Sequence, residues 1–164
     1  MPVITSDPMS SSENLSIVIG RLENACSRRE YCTADVFNKA LKLLEGDREA
    51  ASEVVSKLTE EGYVDDGRYA RAYCRDKSSI AGWGEVKIRY MLKAKGISRE
   101  IIDSALAEVD SDRASERLEK LLATKFRALK KDDPQIRLKL IRYALGRGYS
   151  YDSVSNLVER LIRQ

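Results

Sequence analysis

The stretch KGISREIIDSALAEV, Lys95–Val109, carries a helix stop, a cap and an apolar stripe in immediate succession. Gly96 suits the left-handed conformation that closes a helix, and Ser98 suits the N-cap of the next one. Ile101, Ile102, Ala105, Leu106 and Val109 then recur at the 3.6-residue spacing of one helix face. RGYSYDSVSNLVERLI, Arg147–Ile162, repeats the plan, with Gly148, Ser150 and a stripe of Val154, Leu157, Val158, Leu161 and Ile162.

Upstream, Asp47 stands where the corresponding cap should be, before Ala50, Ala51, Val54, Val55 and Leu58. Asp47, Ser98 and Ser150 are 51 and 52 residues apart. Shifts of that size align Phe37 with Ile88 and Leu140, Leu41 with Leu92 and Ala144, and Val18 with Tyr69 and Leu121. Agreement of caps, stops and stripes together marks an internal repeat. TADVFNKALKLLEG, Thr33–Gly46, has its own stripe of Val36, Phe37, Ala40, Leu41 and Leu44, and no segment alternates with period two. The chain reads as all-α, three tandem three-helix repeats over 15–66, 67–109 and 110–164, after a disordered leader over 1–14.

Composition narrows the function. The chain has 164 residues, no histidine, and three cysteines (Cys26, Cys32 and Cys74) without C-x-x-C spacing, a poor basis for a zinc site. Losing histidine removes the commonest general base, and neither a Walker-type loop nor a G-x-G-x-x-G loop is present. We therefore expect no catalytic residue, no metal and no cofactor. No run approaches the roughly 18 apolar residues of a membrane span. The start, MPVITSDPMSSSENLS, lacks the basic and apolar parts of a signal peptide, and reduced cysteines suit a cytoplasmic protein.

The net charge of +3 hides a split. Residues 1–66 carry seven Lys/Arg against 13 Asp/Glu, and residues 67–164 carry 22 against 13. A basic C-terminal portion suggests a polyanionic partner, although lysine and arginine also simply solvate helix faces. On the fifth helix Arg89 and Lys93 lie four apart and away from the apolar stripe, with Lys87, Lys95 and Arg99 around them. On the eighth, Ile136, Leu140 and Ala144 form the stripe while Lys139 and Arg142 project elsewhere, and Arg147 follows in the turn. Arg68, Arg71 and Arg75 stand off the fourth helix's stripe of Tyr69, Ala70, Tyr73 and Cys74. These basic residues are the candidate binding surface for a partner or nucleic acid.

Two local features invite chemistry and receive structural readings. The adjacent carboxylates Asp65 and Asp66 could hold a metal, but their place between Gly62 and a helix makes one of them the cap of that helix. Trp83, between Gly82 and Gly84, could stack on an unpaired base, yet it reads better as a plug at the junction of two repeats.

LTEEGYVDDGRYARAYCRDK, AGWGEVKIRYMLKAKGIS and ALGRGYSYDSV together resemble the RecX regulators of the RecA recombinase. SRREYCTADV is similar to an N-terminal stretch of that family, departing from it at Cys32, Asp35 and Val36. The resemblance covers residues 15–163 and is most specific in the middle repeat. It implies an elongated, curved array of three-helix repeats. It also implies a monomer that binds the groove of a RecA–single-stranded DNA filament, meeting DNA through the filament. There it would limit filament growth, recombination and co-protease activity. Two other classes stay open: a helix-turn-helix repressor of duplex DNA, which concentrates its basic residues at one recognition helix, and a helical-repeat adaptor.

Overall fold

The computed structural model describes residues 11–164, and among them every regular element is a helix. The order is α1 (Ser11–Arg28), α2 (Thr33–Leu43), α3 (Arg48–Glu60), α4 (Asp66–Ser79), α5 (Glu85–Ala94), α6 (Arg99–Ala107), α7 (Ser111–Ala128), α8 (Ile136–Gly146) and α9 (Tyr151–Ile162). α1 begins inside the stretch expected as a leader, at Ser11, and residues 1–10 of that leader lie outside the described residues. The chain divides into two compact units, 1–69 and 70–164, with the division inside α4.

In the first unit α1, α2 and α3 pack on one another. Their core is Val18, Leu22, Val36, Ala40, Leu44, Ala51, Val54, Leu58 and Val64. The two stripes supply Val36, Ala40 and Leu44, then Ala51, Val54 and Leu58; Phe37, Leu41, Ala50 and Val55 flank them, partly buried. An amphipathic helix this short gains most of its stability from such packing, because nucleation in water is unfavourable.

In the second unit α7, α8 and α9 pack as a trio around Leu118, Leu122, Leu140, Ile141, Ala144, Val154 and Val158. α8 departs from its expected stripe: Ile141 is buried, whereas Ile136 is only half-buried. The face is therefore centred on Leu140, Ile141 and Ala144, leaving Leu138 and Leu145 exposed. α5 packs on α6, and Ile88, Leu92, Ile102 and Ala105 of the two helices are buried.

All three serine and aspartate caps form as expected. Asp47 accepts from the Ala50 N–H at 3.1 Å, Ser98 from Ile101 at 3.4 Å and Ser150 from Ser153 at 3.3 Å. Asp110 adds a fourth, accepting from Asp112 and Arg113 at the start of α7. The stops form too: Gly96 and Gly148 have φ of 75° and 92°. Beyond them the Ile97 and Tyr149 N–H groups reach back to Leu92 and Ala144, closing each helix with the same wide turn.

Gly148 also makes a backbone clasp inside the second unit. The Gly84 N–H donates to the Arg147 carbonyl at 2.8 Å and the Val86 N–H to the Gly148 carbonyl at 2.9 Å. The chains approach so closely that a Cβ on Gly84 would lie 2.4 Å from the Gly148 carbonyl, and one on Gly148 would lie 2.2 Å from the Lys87 Cβ. Tyr149 Oη donates to the Gly82 carbonyl at 3.1 Å, tying the same two segments. Trp83 sits at this clasp. Its ring meets Tyr73 edge-on at 6.4 Å, and the Lys87 and Lys77 ammonium groups lie 4.2 and 4.7 Å from its centroid. The indole is thus engaged with the chain's own cations and aromatic neighbour.

Candidate functional site

The paired aspartates resolve first, because each accepts a different backbone N–H. Asp65 accepts from Arg68 at 2.9 Å and caps α4. Asp66 accepts from the Thr33 N–H at 2.7 Å. It thereby caps α2, whose own N-cap residue, Cys32, makes no side-chain capping bond. One of the pair was expected to cap α4, and Asp65 does so; Asp66 serves a helix start more than thirty residues away. A carboxylate at a helix N-terminus meets both an orphan donor and the positive end of the dipole.

The basic candidates then separate by what already holds them. Arg68 is committed internally: Nε meets Glu30 Oε1 at 2.6 Å, and Nη2 donates to the Gly62 and Tyr63 carbonyls at 3.1 and 3.2 Å. That bond to Glu30 raises the guanidinium's pKa further. Arg89 was expected on an open face, but it lies half-buried between Asp103 and Glu85, at 2.6 and 3.2 Å. Arg147 is half-buried over the Tyr143 ring and donates to Ala81 O and Tyr143 Oη. Lys87 lies over Trp83, Lys95 is half-buried, and Lys139 pairs with Asp133 while remaining exposed. The carboxyl of Asp133 is held below its ordinary range, first by the bond from Lys139.

Arg71, Arg75, Lys93, Arg99 and Arg142 project from the surface. Arg75 and Arg99 have only loose contacts, 3.7 Å to Asp76 and 3.8 Å to Asp103. Exposed pairs of that length contribute little and leave the charge available to a partner. Arg71 and Arg75 are one turn apart on α4 and line a cleft of about 290 Å³ whose other wall includes Arg113 and Arg117 of α7. Those two arginines were not among the candidates, which came from the fourth, fifth and eighth helices and the turns after them. Their i,i+4 spacing off Leu118, Leu121 and Leu122 was the available signal.

Among the described residues no helix is long and apolar enough to cross a membrane. Cys74 is buried and its thiol is pushed up to about 11, chiefly by that burial. Such a thiol is almost wholly protonated at neutral pH and a weak nucleophile.

Comparison with known proteins adds sequence and fold relationships. Residues 65–106 match the model of the second three-helix domain of RecX, and residues 112–158 that of the third. The regulatory protein RecX of Pseudomonas entomophila (strain L48) is 31% identical, over 80% of this chain and 83% of the relative. The protein of the same name from Clostridium perfringens (strain SM101 / Type A) is 31% identical, over 76% of this chain and 67% of its own length. That from Clostridium botulinum (strain Eklund 17B / Type B) is 32% identical, over 82% and 64%. The chain thus spans about two thirds of the length of these clostridial relatives. The crystal structure of RecX from Lactobacillus salivarius shares the fold, with a TM-score of 0.78 at 22% identity over 93% of this chain and 99% of that one. With two tandem domain models and relatives along most of its length in agreement, the chain belongs to the RecX family of regulatory proteins.

Proposed function

We propose that this chain is a non-enzymatic regulator of the RecA recombinase, acting in the cytoplasm as a monomer. It binds along the RecA–single-stranded DNA filament and limits the filament's growth, and with it recombination and co-protease activity. Membership of a family of regulatory proteins, matched in two successive three-helix domains, is the observation that carries this reading. Exposed cations on α4, α5 and α8 support it, since Arg71, Arg75, Lys93 and Arg142 can meet phosphates or acidic protein surface. The internally held Arg68, Arg89 and Arg147 keep helices in place for that contact.

Titration into a RecA strand-exchange reaction and a single-stranded-DNA-dependent ATPase assay tests the proposal. Both rates should fall with added protein, and fall most when it is present while filaments are growing. Unchanged rates at a molar excess over recombinase would exclude it. Tight binding to one duplex sequence without recombinase would point to a repressor.

A further inference from the structure

The cleft between α4 and α7 has a charge pattern that the family assignment does not explain. Arg71 and Arg75 line it from α4, and Arg113 and Arg117 from α7, against the two carboxylates of Glu108 and Asp110. Four guanidinium groups against two carboxylates leave an excess of two positive charges. Like charges lining one cleft are unfavourable unless an anion answers them.

Two carboxylates can balance at most two of the four guanidinium groups. Asp110 is already used as the cap of α7, accepting from Asp112 and Arg113 N–H groups, and its contact with the Arg113 guanidinium is 3.7 Å. The helix N-terminus is therefore satisfied, and the attraction in the cleft comes from side chains. Ser78 and Ser79 turn their hydroxyls back to the Arg75 carbonyl, so they do not compete for a ligand. Burial raises the pKa of the Tyr149 phenol and the nearby Arg117 guanidinium opposes that rise, while the Arg117 Nε–H is shielded from water and has no acceptor. An unsatisfied donor on a charged group is costly, and rotation of that guanidinium toward a bound anion would relieve it.

We propose that this cleft binds a phosphate monoester as its dianion. The double negative charge matches the excess of two positive charges, and guanidinium forks bind phosphate oxygens in bidentate pairs. Such a group occurs on a free nucleotide and at the end of a nucleic-acid strand. The cleft shares Arg71 and Arg75 with the filament contact proposed above and adds Arg113 and Arg117, and its test needs no recombinase.

Calorimetric titration of the full chain, at constant ionic strength, compares a nucleoside monophosphate with its nucleoside. A companion titration compares single strands bearing a 5′-phosphate or a 5′-hydroxyl. The monophosphate should bind saturably and the nucleoside should not. Arg71→Gln and Arg113→Gln, both at exposed positions, should each weaken the monophosphate at least about tenfold while keeping the wild-type circular dichroism. Arg163→Gln, exposed at the end of α9 and outside the cleft lining, should leave it unchanged. A preference for the 5′-phosphorylated strand that Arg71→Gln removes would identify the strand end as the source. Monophosphate binding without such a preference would identify the free nucleotide. Absence of both effects, or equal losses in all three variants, would overturn the site.

Discussion

Asp65 and Asp66 are neighbours in sequence and hold different helices in place. Asp65→Ala removes the acceptor for Arg68 N–H, and Asp66→Ala removes the acceptor for Thr33 N–H. Each should cost about 0.5–2 kcal/mol in urea denaturation. Hydrogen exchange separates them: Asp66→Ala should accelerate the Thr33 amide, and Asp65→Ala the Arg68 amide. The capping role was legible in the sequence, since aspartates beyond a glycine stop favour a helix start. Which helix Asp66 serves was not, because the acceptor and donor are far apart along the chain and only folding brings them together. The thiols are distinguishable at the same scale. Cys32 and Cys74 are buried while Cys26 is half-buried, so alkylation of the native chain at neutral pH should label Cys26 first. Peptide mass analysis reads the order, and prior labelling of Cys74 would contradict the burial that raises its pKa.

Helices, caps and stops were readable because each is specified by a few adjacent residues. Asp47, Ser98 and Ser150 all cap as their positions imply. The burial of Ile141 was not readable, since a helix apolar over much of its circumference has several candidate faces and its neighbours choose one. The clasp was half readable. Glycine at 148 marks a stop, but its contact with Gly84 is long-range. This predicts unequal costs for equivalent substitutions. Gly96→Ala meets nothing within 4 Å and suffers only its positive φ, so it should cost about 1 kcal/mol. Gly148→Ala adds a clash with Lys87 to the same strain, and should cost about 2–4 kcal/mol. Gly84→Ala, strained only by the clash with Gly148, should fall between them. Equal midpoints for Gly96→Ala and Gly148→Ala in urea would show that the close approach does not exist.

For the molecule as a whole, the basic half of the chain was legible as charge, but the usable charge was not. Sequence spacing gives the side of a helix a cation leaves by; it does not show the acid waiting there on another segment. Asp103 on α6 is that acid for Arg89, and Glu30 for Arg68. Charge reversal should therefore divide the candidates. Arg89→Glu faces Glu85 and Asp103 and should lower stability, so any loss of partner binding would be mixed with unfolding. Lys93→Glu and Arg142→Glu lie on exposed positions and should shift stability by less than about 0.5 kcal/mol. If the filament is met by these cations, the double variant should need a severalfold higher concentration to suppress strand exchange at low salt. The gap from wild type should narrow as salt rises, because screening weakens the wild-type contact more. Glu45 and Glu49, exposed in the acidic first unit, supply the control, and their reversal to lysine should not weaken binding. Wild-type potency of the double variant in low salt would move the contact off α5 and α8. The remaining exposed cations of α4, Arg71 and Arg75, would then be the ones to reverse next.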